Sequence, residues 1–74
     1  MKKKEEILLQ IAQRIKAIRE EKNISQIELA RLTDKERQNI YRLEKGKINP
    51  SIFQLYEIAN SLEMNLSDLL KDIK

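Results

Sequence analysis

Five residues near the middle of the chain, Arg37, Gln38, Tyr41, Arg42 and Lys45, carry long side chains with hydrogen-bond donors. Wound as a helix at about 100° per residue, they fall on one face, and Ile40 and Leu43 point roughly the other way. Two arginines and a glutamine on one helix face can read base edges in a DNA major groove. Arginine grips the two acceptors of guanine, and glutamine pairs with the donor and acceptor of adenine. Arg37, Gln38 and Arg42 are the candidates for base readout, with Tyr41 adding an apolar contact or a phosphate hydrogen bond. Taken alone, two arginines on a helix more commonly make a solvated surface. The reading therefore depends on the elements around them.

Those elements run from Ser25 to Gly46, SQIELARLTDKERQNIYRLEKG. The stretch predicts a short helix, a tight turn and a second helix. Ser25 suits the N-cap of the first helix, and Glu28 three residues on completes a capping box. Ile27, Leu29, Ala30 and Leu32 are the expected packing residues of that helix, and Ile40 and Leu43 those of the second. Thr33 with Glu36 also reads as a capping box, which would start the second helix at Asp34. Gly46 is placed to end it in the left-handed conformation. Lys45 and Lys47 flank that end, where they suit both the helix dipole and a DNA phosphate.

A first helix is predicted from about Glu5 to Lys22, after a basic tip at Met1–Lys4 that should fray through about residue 5. Ile7, Ile11, Ile15 and Ile18 form its apolar stripe, Leu9 lies on its far side, and Asn23 suits a left-handed cap. Beyond the turn at Asn49-Pro50-Ser51, a fourth helix capped by Ser51 runs to about Leu62. Its apolar face is Ile52, Leu55, Tyr56, Ile58, Ala59 and Leu62. Phe53 falls outside that face; an exposed aromatic suggests a partner surface, and a ring folded over a nearby loop is the alternative. Asn65 should cap a last helix with Leu66, Leu69, Leu70 and Ile73 as its stripe.

The 74 residues read as one all-α domain with one Gly and one Pro. There is no Cys and no His, which excludes disulfides, thiolate nucleophiles, zinc fingers and histidine acid–base chemistry. No carboxylate pair or phosphate loop with catalytic spacing appears, so no enzyme, cofactor, metal or small-molecule ligand is expected. No apolar run is long enough for a membrane span or a signal peptide, and a soluble, cytoplasmic protein is the expectation. The net charge is +3. Residues 1–24 hold seven Lys/Arg against four Asp/Glu, residues 25–48 six against four, and residues 49–74 two against four. A basic portion and an acidic portion fit one nucleic-acid face and one face turned away.

The order and spacing of Arg19, Ser25-Gln26, Leu29-Ala30, Ile40, LEKGKINPS from Leu43 to Ser51, and ANSLEMNLSDLL resemble the XRE-type helix-turn-helix family of phage-repressor and Cro-like regulators. The resemblance covers roughly Ile11 to Leu70. It implies a compact five-helix repressor-like fold with the helix-turn-helix as helices two and three. It implies a transcriptional regulator, more often a repressor, that binds double-stranded DNA as a homodimer on a palindromic operator. Arg19 and Glu44 match the family's ion pair between the first and recognition helices. Gln26 matches a glutamine that touches phosphate and braces the recognition helix. Ser25, Gln26, Asn39, Lys45 and Lys47 are then the expected DNA-backbone contacts, with Phe53 or Ile73 on the dimer surface. The family register starts the recognition helix near Glu36, and it usually has Gly where Asp34 stands. The alternative role is a protein-interaction module on the same fold, an adaptor or antitoxin, favoured by Phe53, Leu9 and the acidic last third.

Overall fold

The computed structural model describes residues 3–74. Five helices follow one another: α1 (Lys4–Glu21), α2 (Gln26–Leu32), α3 (Arg37–Glu44), α4 (Ile52–Ser61) and α5 (Leu66–Leu69). There is no strand among the described residues. This is the five-helix, all-α arrangement expected, with the helix-turn-helix at α2 and α3. Of the basic tip, Lys4 already belongs to α1, and Met1 and Lys2 lie outside the described residues.

The core forms where the apolar stripes converge. Ile15 and Ile18 of α1 meet Leu29 and Ala30 of α2, Ile40 and Leu43 of α3, Leu55 and Ile58 of α4, and Leu69 of α5. Fully burying one such aliphatic side chain is worth about 1.5–3 kcal/mol, so these few residues dominate the stability of so small a core. Ile11 is partly buried against this cluster, and Ile7 is half-buried.

Local chemistry sets the helix ends. Asn23 takes φ +59°, and the Ile24 N–H donates back to the Arg19 carbonyl at 3.0 Å, closing α1. Ser25 Oγ accepts from the Glu28 N–H at 3.0 Å to start α2, and Ser51 Oγ does the same for Gln54 at the start of α4. Gly46, at φ +73°, ends α3, and the Lys47 N–H closes that turn on the Arg42 carbonyl at 3.0 Å. A side chain at Gly46 would be strained at this φ and would stand 3.5 Å from the Leu9 Cα. Leu9 lies off the apolar stripe of α1 and is 45% exposed, with its side chain beside the Gly46 turn.

Several expectations are corrected. Thr33 does not cap α3: its buried hydroxyl donates to the Leu29 carbonyl at 2.8 Å, closing α2 instead. The N-cap of α3 is Glu36, without a side-chain cap bond, so the helix follows the later register. Asp34 holds the turn at φ +55°, the left-handed conformation that a short polar side chain tolerates. Glu28 pairs with Arg31 at 2.6 Å instead of reaching back to complete its capping box. Ile27 and Leu32 are exposed, as are Ile52 and Tyr56. On α2 the neighbouring elements cover only Leu29 and Ala30 in the middle of the stripe, and on α4 they cover Leu55, Ile58 and Ala59 and leave Ile52 and Tyr56 exposed along one edge. Asn65 makes no side-chain cap bond, and α5 stops at Leu69, leaving Ile73 half-buried beyond it.

The far end of the chain is tied to α1. Arg14 donates through Nη2 to the Asp68 carbonyl at 2.8 Å and through Nε to the Leu69 carbonyl at 3.2 Å. Those carbonyls lie at the end of α5, where orphan acceptors need donors. Gln10 exchanges two hydrogen bonds with the backbone of Lys74.

Candidate nucleic-acid interface

On α3, burial divides the side chains sharply. Ile40, Leu43 and Glu44 face inward, and Arg37, Gln38, Tyr41, Arg42 and Lys45 are exposed together on the other side. Arg37, Gln38 and Arg42 have no side-chain hydrogen bond or ion pair with any other described residue. Their donors are therefore available to a ligand. Lys45 Nζ lies 5.5 Å from the Tyr41 ring centre, a cation–π contact that keeps both on the same face. Lys47 is exposed just past Gly46. A hollow of about 410 Å3 opens beside the start of α3, lined by Asp34, Lys35, Glu36, Gln38, Asn39 and Arg42.

Beneath this face, Arg19 docks α3 on α1. Its Nε donates to Glu44 Oε2 at 2.6 Å and its Nη2 to Glu44 Oε1 at 2.9 Å. Nη1 donates to the Ile24 carbonyl at 2.7 Å. Both side chains are buried, each residue 7% exposed. The hydrogen bonds to Glu44 push the guanidinium pKa up, outweighing the opposing effect of burial. A forked, charge-assisted pair fixes orientation as well as distance. Gln26 joins it, donating from Nε2 to Glu44 Oε1 at 3.1 Å, so the first residue of α2 braces the recognition helix.

The remaining expected contacts carry structural tasks too. The Ser25 hydroxyl oxygen is engaged in capping α2. Asn39 is half-buried, and its Oδ1 accepts from Gln54 Nε2 of α4 at 3.0 Å. Gln54 was not singled out by the sequence, because a lone glutamine gives no signal of a partner fifteen positions away. Phe53 stands 67% exposed on α4, its ring 6.2 Å from that of Tyr56 in a stacked arrangement.

A family model described as helix-turn-helix matches residues 15–69, most of the chain. The chain belongs to the helix-turn-helix family. This is a family of DNA-binding transcription regulators, not of enzymes. The chain is 33% identical over 60 residues to the immunity repressor protein of Bacillus phage phi105, covering 81% of this chain and 42% of the repressor. It is 41% identical over 56 residues to an HTH-type transcriptional regulator of Archaeoglobus fulgidus, covering 76% of this chain and 79% of that protein. Among solved structures, an HTH_3 family transcriptional regulator from Vibrio cholerae superposes with a TM-score of 0.85 at 28% identity, over 92% of this chain and 38% of that one. The restriction-modification controller protein C.AhdI from Aeromonas hydrophila superposes with a TM-score of 0.81 at 29% identity, over 84% of this chain and 94% of that one. The helix-turn-helix chain thus spans about two-fifths of the phage repressor and of the Vibrio regulator. No helix among its described residues is long and apolar enough to cross a membrane.

Proposed function

We propose that this helix-turn-helix protein binds a specific double-stranded DNA sequence as a homodimer and represses transcription from a two-fold operator. The observation that carries the reading is the outward face of α3. Arg37, Gln38 and Arg42 are exposed and unengaged there, above a helix locked to the core by Arg19 and Glu44. Arg37, Gln38, Tyr41 and Arg42 read bases, and Ser25, Gln26, Asn39, Lys45 and Lys47 hold the sugar-phosphate backbone. Likeness to a phage immunity repressor favours repression over activation.

One recognition helix covers only a few base pairs, so a second copy is needed for a site of useful length. The supporting surface is on α4, where Ile52 and Phe53 are each 67% exposed and Tyr56 52%. These three side chains present on the order of 400 Å2 of mostly apolar surface. An isologous contact uses the patch twice, about 800 Å2 before any rim, close to the ~1,000 Å2 of a specific interface. Phe53 is better placed for this contact than Ile73, which is half-buried.

The same apolar patch supports a second reading, a module that docks a partner protein. Selection of bound duplexes from random DNA separates the two. The DNA reading expects a recovered consensus with dyad symmetry, and affinity that falls steeply with salt. No enrichment, or weak binding indifferent to sequence, would leave the protein-docking reading.

A further inference from the structure

Asn39 sits in the first turn of α3 and lines the hollow it shares with Gln38, Arg42 and Lys35. Its Oδ1 is taken by Gln54 Nε2 at 3.0 Å. Its Nδ2 has no partner among the described residues, and no buried side-chain nitrogen or oxygen there lacks one. Nδ2 must therefore be open to solvent. A side-chain amide has one accepting end and one donating end, and a partner at either end fixes which way it points. Phosphate oxygens only accept. A donor turned outward at the start of the recognition helix can bind one, and an acceptor turned outward would oppose it.

We infer that Gln54 is a positioning residue for DNA binding: by donating to Asn39 Oδ1 it holds the Asn39 amide with Nδ2 outward, toward a phosphate of the bound duplex. This rests on the reading of α3 as the DNA-binding helix. It gives α4 a part in recognition without touching DNA. The Ser51 cap accepts from the backbone N–H of residue 54, so replacing the Gln54 side chain leaves that cap in place.

The experiment compares Gln54→Met with Gln54→Glu, each alone and combined with Asn39→Ala, measuring affinity for the selected duplex and melting temperature. Methionine removes the hydrogen bond and frees the Asn39 amide. A carboxylate at position 54 keeps a hydrogen bond but can only accept, so it draws Asn39 Nδ2 inward and turns Oδ1 toward the DNA. A mere brace between α3 and α4 would survive that change. Positioning predicts that Gln54→Met weakens binding about threefold, the scale of one lost neutral hydrogen bond. Gln54→Glu should weaken it about tenfold or more while melting near the parent. The difference between the two should largely vanish with Asn39→Ala, where only the added charge still acts. If the difference persists undiminished without Asn39, or if Gln54→Glu binds as tightly as the parent, the inference is wrong. A parent chain that binds no duplex would refute the DNA reading and this inference together.

Discussion

Arg19 and Glu44 stand twenty-five positions apart in the chain and meet as a fork on a carboxylate, with donor–acceptor distances of 2.6 and 2.9 Å, in a buried seam between α1 and α3. The pair converts the position of α1 into the orientation of α3. Removing one partner leaves the other charge buried and alone, a loss of about 3–5 kcal/mol. A core of this size supplies roughly 3–5 kcal/mol in all. Glu44→Ala should therefore be largely unfolded by circular dichroism at room temperature. Arg19→Met combined with Glu44→Leu should recover a cooperative melt, because an apolar pair leaves no stranded charge.

The exposed pair Glu28–Arg31 provides the contrast. Its hydrogen bonds to Arg31 hold the Glu28 carboxyl below the usual carboxylate range. A lowered carboxyl stabilises the fold above its ordinary pKa and loses that contribution as pH falls through the lowered value. Solvent screens an exposed pair. Arg31→Ala should shift the melting temperature little at neutral pH and not at all at strongly acid pH. A large neutral-pH shift would show that the pair bears on α2 more than its exposure implies.

The turn between α2 and α3 makes its own prediction. Asp34 holds φ +55°, and the Lys35 N–H donates to the Ala30 carbonyl at 2.8 Å across it. Asp34→Gly should keep or raise stability, by up to ~1 kcal/mol, because glycine adopts this conformation without strain. Asp34→Val should lower it by ~1–2 kcal/mol. Chemical denaturation of the two variants checks the order, and a valine variant as stable as the glycine one would contradict the left-handed turn.

Phe53 tests the proposed dimer. Phe53→Lys places a charge in the middle of the exposed α4 patch without entering the core. Sedimentation should then show a monomer, and binding to a two-fold site with half-sites about 10 base pairs apart should lose its cooperativity. A variant that still sediments as a dimer would move the interface elsewhere on the molecule.

The helix-turn-helix was legible because its signals are local. Ser25, Asn23, Gly46 and Ser51 each set a helix end through their own backbone or hydroxyl chemistry. The outward face of α3 was legible because a periodicity of 3.6 separates Arg42 from Leu43 whatever lies beyond. The breadth of packing was not. Ile27 and Leu32 flank Leu29 on a helix of seven residues, and Ile52 and Tyr56 flank Leu55 and Ala59 on α4. Whether such flanking positions are covered depends on the width of the neighbouring element. Thr33 misled because a hydroxyl followed by an acid three residues later fits a capping box. Its hydroxyl instead serves the carbonyl of Leu29. The Gln54–Asn39 bond joins two helices by neutral side chains, which leave no trace in charge or periodicity.

In the proposed complex α3 reads bases through Arg42 and touches the backbone through Lys45. Both are exposed on its outward face, Arg42 within the helix and Lys45 at its C-cap. The direct measurement is the affinity of Arg42→Ala and Lys45→Ala for the selected site and its single-base variants, across a salt series. Arg42→Ala should cost ~1–3 kcal/mol on the best site and relax preference at one position per half-site. Lys45→Ala should weaken all sequences about equally and reduce the salt slope by about one. If Arg42→Ala instead weakens every sequence equally, Arg42 holds a phosphate and the reading face of α3 is out of register.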